Sequence, residues 1–397
     1  MLSHSTTCCI VGGGPAGAML SLLLARKGIP VTLVEQHTSF DRNFRGEVFH
    51  SSIMEILEEL GLVEQIFQLP HTKIYSAMID SPHGSIVLDF QMLRSKYPHL
   101  TTMNQSQFLE FIVSEAERYD HFRYIMGAKV VDLVKSDEKI CGVKLQKQSE
   151  IHEIRATLTV AADGRYSTVR KLSGMTPVPL TQPIDVVWFR LPRTDTDPEY
   201  MFNRSKNSNM LACVNRGDYW QLGMFIPKGT YQQIKAKGIE SLHQTLIELV
   251  PEFSNRITLL TSWNQFSVLS AFSSRLKRWY LPGLLFIGDA AHTMSPLGAV
   301  GINYAIHDAV TVANVLSHPL KSGHITMGDL ASVQKQRELP TKIIQAYQGL
   351  MQKQIIDPIL NNKNSSLGFK LVKSSSLLRK LIVILVTSGF KRVRIQE

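Results

Sequence analysis

A glycine cluster between two short apolar strands, two aspartate–glycine phrases at strand ends, and a stretch of alternating apolar residues between those phrases predict an α/β chain. The expected architecture is a nucleotide-binding βαβ unit completed by distant segments, an inserted and mostly antiparallel sheet, and a helical C-terminus. At 397 residues the chain is long enough for two or three domains.

Thr7-Cys8-Cys9-Ile10-Val11 is a short apolar run with strand character, and Gly12-Gly13-Gly14-Pro15-Ala16-Gly17 follows at once. Residues 18–27 read as a helix, and Val31-Thr32-Leu33-Val34 as a second strand ending at Glu35. This is a dinucleotide fingerprint in its strand–turn–helix setting. Gly12 permits the tight turn, Gly14 lets backbone approach a pyrophosphate, and Gly17 lets helix and strand pack closely. The helix N-terminus, with Pro15 and Ala16, offers N–H groups and a positive dipole end to phosphates. Glu35 lies 18 residues beyond Gly17, where a carboxylate accepts hydrogen bonds from an adenosine ribose. Taken alone, the unit does not separate FAD from NAD.

Further along, residues 51–60 carry Ile53, Ile56, Leu57 and Leu60 at helical spacing and are closed by Gly61. Residues 73–80 and 85–90 flank Ser81-Pro82-His83-Gly84 as a hairpin, and residues 105–118 are helical. Several β-runs fill 130–162. Alternation is densest from 179 to 274, notably at 185–191, 210–215 and 219–226, with a helix or two near 231–250. Residues 284–287 read as a buried strand, and helices dominate after Gly301. The implied division is a discontinuous nucleotide-binding domain (1–72, 101–178 and 276–330), a substrate-binding sheet domain (73–100 and 179–275), and a C-terminal helical region (331–397).

Composition narrows the class. Four cysteines, two of them adjacent in the first strand, make no disulfide framework, which suits a reducing, cytoplasmic compartment. The glycine turn interrupts the N-terminal apolar stretch, so no signal peptide is expected. No apolar run is long enough to span a bilayer. The net charge is +10, but the bases are dispersed and no nucleic-acid motif accompanies them. They read as a solvated surface around an anionic cofactor, with no nucleic-acid partner. No metal site is expected. The exception to the dispersal is 377–386, an apolar run flanked by Lys370, Lys373, Lys391, Arg392 and Arg394. A helix packed on the core is the favoured reading. A weak peripheral membrane contact through this basic–apolar helix is the alternative.

Leu158-Thr159-Val160-Ala161-Ala162 delivers Asp163-Gly164-Arg165-Tyr166-Ser167-Thr168-Val169-Arg170 at a strand end. The second phrase, Gly288-Asp289-Ala290-Ala291-His292, leads into Pro296-Leu297-Gly298-Ala299-Val300-Gly301-Ile302-Asn303. Asp289 at a strand end can accept bonds from a ribityl chain, and Gly298 and Gly301 let backbone come close to a flat ring. The helix starting near Gly301 aims its positive end at that ring, which suits a reduced flavin, anionic around N1 and O2.

In this order, over about 300 residues, the phrases resemble the single-component (group A) FAD-dependent aromatic hydroxylases of the para-hydroxybenzoate hydroxylase type. The resemblance implies a Rossmann-like FAD-binding domain with an inserted sheet roofing the flavin. Gly12, Gly14, Pro15, Ala16 and Gly17 would hold the pyrophosphate, and Glu35 the adenosine ribose. Arg45 and Gln107 would contact FAD along its phosphates and ribityl chain. Asp163 would sit near the pyrophosphate, in a loop also used around NAD(P)H. Gly288 and Asp289 would bind the ribityl chain, and Pro296, Gly298, Gly301, Ile302 and Asn303 would line the isoalloxazine. Many relatives carry Gly-Gln-Gly in that last stretch; Gly298-Ala299-Val300-Gly301 resembles the para-hydroxybenzoate hydroxylase version.

The implied activity is hydroxylation of an aromatic, phenolic, quinol-like or related electron-rich small molecule through a flavin C4a-hydroperoxide. O₂ and a transient NAD(P)H are the co-substrates, and FAD is bound tightly but non-covalently. A flavin reductase or dehydrogenase of the same fold, and a membrane-surface flavin redox binder, are the alternatives. No halogenase Trp-x-Trp-x-Ile-Pro phrase is present. His292 reads as structural, His50 and His307 as surface or packing residues, and no catalytic base is nominated. For the substrate wall, Trp188 and Arg190 share one strand face, and Tyr219 and Gln221 lie on a following strand.

Overall fold

A computed structural model describes residues 3–41, 47–81, 84–180, 184–361 and 367–396. Arg45 lies outside the described residues.

The strand Ser3–Val11 runs parallel to Glu150–Ala161 on one side and to Val31–Val34 on the other. The sheet continues outward to Phe122–Ile125 beyond Val31–Val34, and to Leu284–Phe286 and Tyr280–Leu281 beyond Glu150–Ala161. Both faces of the central strand are covered at its C-terminal half, so residues 8–11 are apolar without alternation. Cys8 and Ile10 pack under the helices Pro15–Arg26 and Gly301–Lys321. Cys9 and Val11 pack against the antiparallel pair Ala128–Ser136 and Lys139–Lys147.

The register places all three glycine-containing phrases at one sheet edge. Val11 pairs with Ala161, and Ala161 pairs with Phe286. Gly12, Asp163 and Gly288 therefore follow the carboxyl ends of neighbouring parallel strands, where open α/β sheets bind ligands.

A second sheet of seven strands has the order Ser267–Ala271, Ile184–Pro192, Tyr219–Pro227, Asn209–Asn215, Met201–Lys206, Ser76–Ser81 and Gly84–Asp89. Every pairing is antiparallel except Met201–Lys206 with Ser76–Ser81. Its outer face, including Phe189, Leu211, Trp220 and Leu222, packs with Leu242, Leu246 and Leu249 of the helix Ile239–Leu249. Its inner face looks back toward the nucleotide-binding layer.

One expectation changes here. Residues 73–80 read as a single hairpin arm, but the structure divides them at Tyr75. His71–Ile74 joins Leu100–Met103 and Val48–Phe49 in a small three-stranded sheet, and only Ser76–Ser81 enters the large one. Period-two alternation shows which residues share a face, but it cannot show that a strand changes sheets.

Asp308 ties the pieces together. Its carboxylate is fully buried and accepts from Gly288 N at 2.9 Å, His292 Nε2 at 2.6 Å and Arg337 Nε at 2.7 Å. These bonds join the 288–292 turn, the helix Gly301–Lys321 and the long helix Met327–Met351. His292 is thus a structural donor. His292 and Arg337 hold the Asp308 carboxyl well below the usual carboxylate range against the opposing effect of burial. Replacing Asp308 with Ala strands a buried guanidinium, so unfolding free energy from urea titration should fall by about 3–5 kcal/mol.

Candidate active site

Three glycines shape the cradle in different ways. Gly12 has φ +106°, and a Cβ there would lie 2.5 Å from Ala162 O. A Cβ on Gly17 would lie 1.9 Å from Gly12 O, so this glycine lets the helix close onto the turn. Gly14 is the reverse: a Cβ there meets nothing within 4 Å, because the residue faces open cavity. Pro15 occupies the first turn of its helix, and no side chain caps that end. An uncapped helix N-terminus facing a cavity favours an anionic group.

Glu35 is 3% exposed and accepts from Gly13 N at 2.8 Å and His37 N at 2.9 Å. Asp163 accepts from Ser167 Oγ at 2.5 Å and Val169 N at 3.0 Å, and burial raises its pKa. Arg170 donates to Ala290 O at 2.8 Å and to Arg165 O at 2.7 Å, and Arg165 lies 3.5 Å from the Asp289 carboxylate. These two arginines stitch one aspartate–glycine phrase to the other. Sequence reading gave them no role, because nothing in either phrase indicates its partner.

The remaining expected residues divide by position. Pro296, Gly298, Gly301 and Ile302 line the same cavity as Gly12, Gly14, Pro15, Ala16, Glu35, Asp163 and Asp289. Gly288 instead packs against Ala16 and Ala305. Asn303 does not face the cavity. Its Oδ1 accepts from His50 N at 2.8 Å, and its Nδ2 donates to Val48 O at 3.1 Å and Ala299 O at 2.9 Å. Gln105, rather than Gln107, reaches the cavity lining. Two residues apart on a helix is about 200° of rotation, so only one of the pair can face inward.

On the roofing sheet, Trp188 and Gln221 line the cavity and Arg190 and Tyr219 do not. Arg190 is exposed, with its guanidinium 4.8 Å from the centre of the Tyr219 ring. Trp188 and Arg190 share a face, but the strand runs on past the cavity to its rim.

The structure adds residues that no motif indicated. Glu47 lines the cavity and forms a buried ion pair with Arg216, whose guanidinium also donates to Glu47 O at 2.9 Å. Burial raises the Glu47 pKa, opposed by Arg216 and Arg190. Tyr347 also lines the cavity, and burial pushes its phenol up to about 12, so it stays a donor at neutral pH. The C-terminal helix Ser376–Thr387 turns Ile382, Val383, Val386 and Thr387 inward. A Cβ on Gly298 would lie 3.2 Å from Val386, so this helix packs directly on the loop after Pro296. Among the described residues no helix is long and apolar enough to cross a membrane.

The result is one cavity of about 550 Å³ running from the glycine turn to the inner face of the seven-stranded sheet. The cradle fits a dinucleotide: close backbone at Gly12 and Gly17, open space at Gly14, an uncapped helix end, and a buried carboxylate at Glu35. A nucleotide cradle that opens under a second, roofing sheet places a dinucleotide beside a chamber for a second molecule. A family model described as FAD binding domain matches residues 5–344, and the chain belongs to that family. It is 33% identical over 341 residues to 6-methylpretetramide 4-monooxygenase of Streptomyces rimosus, covering 85% of this chain and 81% of that protein. Among solved structures it is similar to Pseudomonas aeruginosa PqsL in complex with 2-aminobenzoylacetate, with a TM-score of 0.79 at 19% identity, covering 90% and 99% of the two chains. It is also similar to the flavin-dependent brominase Bmp2, with a TM-score of 0.80 at 17% identity over 96% and 93%. These two likenesses concern the fold. The chain is an FAD-dependent enzyme of the aromatic monooxygenase group, with NAD(P)H as co-substrate.

Two outcomes follow from this geometry. Gly14→Leu should fold normally yet lose FAD affinity at least about tenfold, since its side chain fills open cavity; Gly17→Ala should fail to fold stably. Flavin titration beside thermal melting separates the two. His50 is buried against the backbone of Gly298 and Val386, and burial lowers its pKa to about 4. The unfolded chain takes up a proton there near pH 6.5 that the native chain refuses until about pH 4. Its contribution to stability is therefore complete above pH 6.5 and is lost as pH falls through that window. His50→Gln should reduce the stability loss between pH 7 and 4.5 by about 2–3 kcal/mol in urea titrations.

Proposed function

We propose that the chain hydroxylates a mostly apolar aromatic molecule held between the Pro296–Ile302 loop and the inner face of the seven-stranded sheet. The continuity of the cavity carries this reading: the nucleotide cradle and the apolar roof open into one space. Bound FAD supplies hydride acceptance from NAD(P)H and activation of O₂. The cradle residues Gly12, Gly14, Pro15, Ala16, Glu35 and Asp163 would hold its dinucleotide end, and Asp289 with the 296–302 loop its ribityl and ring end.

The chain's own residues do the rest. Val48, Phe90, Leu100, Val214 and Val383 surround the space with apolar surface, which excludes water from the reacting centre. Tyr347 can donate a hydrogen bond into it. The 6-methylpretetramide 4-monooxygenase likeness supports oxygen insertion over the reductase alternative. FAD-loaded protein given NAD(P)H, ¹⁸O₂ and phenolic probes should place label in an organic product. Flavin reduction and reoxidation that never labels any probe would overturn the reading.

A second reading concerns the other face of the C-terminal helix. Leu377, Leu381 and Ile384 are exposed, and the exposed cations Lys370, Lys380 and Lys391 flank them. This pattern supports a weak peripheral contact with anionic lipid. Co-sedimentation with phosphatidylglycerol vesicles should then be weak, salt-sensitive and lost in Leu377→Ser/Leu381→Ser; retention by neutral vesicles alone would contradict it.

A further inference from the structure

The helix Met327–Met351 buries a row of polar side chains where a core-facing helix ordinarily buries apolar ones. Arg337, Gln345 and Gln348 are each at most 3% exposed and fall within about 80° of one another around the helix. Buried polar groups are costly unless hydrogen-bonded. These three bond toward one segment, 288–297. Arg337 holds Asp308, which also accepts from Gly288 N and His292 Nε2. Gln345 Nε2 donates to Ser274 O and Thr293 O, both at 3.1 Å, and its Oε1 accepts from Arg275 at 2.6 Å. Gln348 Oε1 accepts from Ser295 N at 3.2 Å, and its Nε2 donates to Ser295 O and Leu297 O, both at 2.8 Å. Rising along the helix, the side chains fasten successive points of the chain as it passes from the 288 turn into the loop after Pro296.

Gln348 is the one that reaches the loop. It is fully buried and does not line the cavity, whereas Ser295, Pro296, Leu297, Gly298 and Ala299 do. The loop it holds is strained. Gly298 has φ +75° and Ala299 follows at φ +52°, a left-handed conformation that a residue with a Cβ seldom takes. Strained backbone of this kind persists only where the surroundings over-determine it. The Gln348 amide holds the chain before the strained pair, the Asn303 amide holds Ala299 O after it, and Val386 stands beside Gly298.

A glutamine suits this position because its uncharged amide carries two donor hydrogens and an acceptor. The Ser295 and Leu297 carbonyls take the donors, and the Ser295 N–H takes the acceptor. An apolar side chain of the same length would leave all three backbone groups unpaired, and the loop would relax to find other partners.

We propose that Gln348 is a positioning residue for the cofactor ring. It sets the strained 295–299 loop in the shape against which the ring lies, and it does so without lining the cavity itself. The proposal rests on the placement of the ring beside residues 296–302 made above, and it names what holds that wall.

The test uses the FAD-loaded protein and two signals from the bound flavin. Visible circular dichroism reports the surroundings of the ring, and dilution reports the rate of FAD release. Gln345→Met is the control, because it removes an equally buried glutamine of the same helix that bonds to Ser274 and Thr293 and not to the loop. Both Gln348→Met and Gln345→Met should lower the melting temperature. Only Gln348→Met should change the visible dichroism, and it should speed FAD release about fivefold to thirtyfold, against about twofold or less for Gln345→Met. Gln348→Asn keeps an amide one methylene short and should fall between Gln348→Met and the native protein; it carries the test if Gln348→Met does not fold. Native dichroism and release in the Gln348 variants, or equal changes in Gln345→Met, would overturn the proposal. Leu297→Ala separates this proposal from the reading beneath it, because it alters the loop's own lining. If Leu297→Ala shifts the dichroism and the Gln348 variants do not, the positioning role alone fails. If none of them shifts it, the ring does not lie on this loop, and both fail.

Discussion

The parallel register of three strands drawn from distant parts of the chain is the constraint on which the site depends. The hydrogen-bond ladder runs into the functional turns themselves: Gly12 N donates to Val34 O, Ala162 N to Val11 O, and Ile287 N to Ala161 O. A slip of one residue between any two of these strands would turn each side chain to the opposite face and separate the glycine turn from the two aspartates. Gly12 shows how tight the arrangement is, since even a methyl group there would collide with the Ala162 carbonyl.

Buried charge then fixes what register alone leaves loose. Asp308 holds the turn after Gly288 from the interior, and Arg170 and Arg165 hold the two aspartate phrases together at the surface of the cradle. Glu47 and Arg216 do the same between the cradle layer and the roofing sheet. Each pair joins segments far apart in the chain. Removing one partner leaves an uncompensated charge, so these contacts favour the native arrangement over its near neighbours more than they add to overall stability. The apolar helix Ser376–Thr387 completes the enclosure by packing on the loop after Pro296, beyond the segment matched by the family.

Much of this was legible in the sequence, and the exceptions have physical reasons. Gly12 and Gly17 could be read because each stands where a Cβ would strike backbone, in a fixed order on a strand–turn–helix, and Gly14 because it opens the cavity between them. The alternating runs at 185–191, 210–215 and 219–226 identified the roofing sheet because one of its faces is buried on a core and the other lines a cavity. Orientation was harder. Asn303 and Gln107 stand in the right places along the chain, but a helix presents a different face every residue: the Asn303 amide bonds to Val48 and Ala299, and Gln105 rather than Gln107 lines the cavity. Arg190 shares the correct strand face with Trp188 but lies beyond the cavity's edge. Arg170, Glu47 and Arg216 could not have been found from spacing, because their partners are set by tertiary contact alone.

The central claim is that cradle and roof form one reaction chamber, with the cofactor ring beneath the inner face of the seven-stranded sheet. A crystal structure of the FAD-loaded protein tests it most directly. The account predicts pyrophosphate density against Gly14 and the start of the helix Pro15–Arg26, and ring density against Pro296–Ile302 facing Gln221 and Asn203. Ring density directed to solvent, or a chamber under the sheet walled off from the ring, would contradict it.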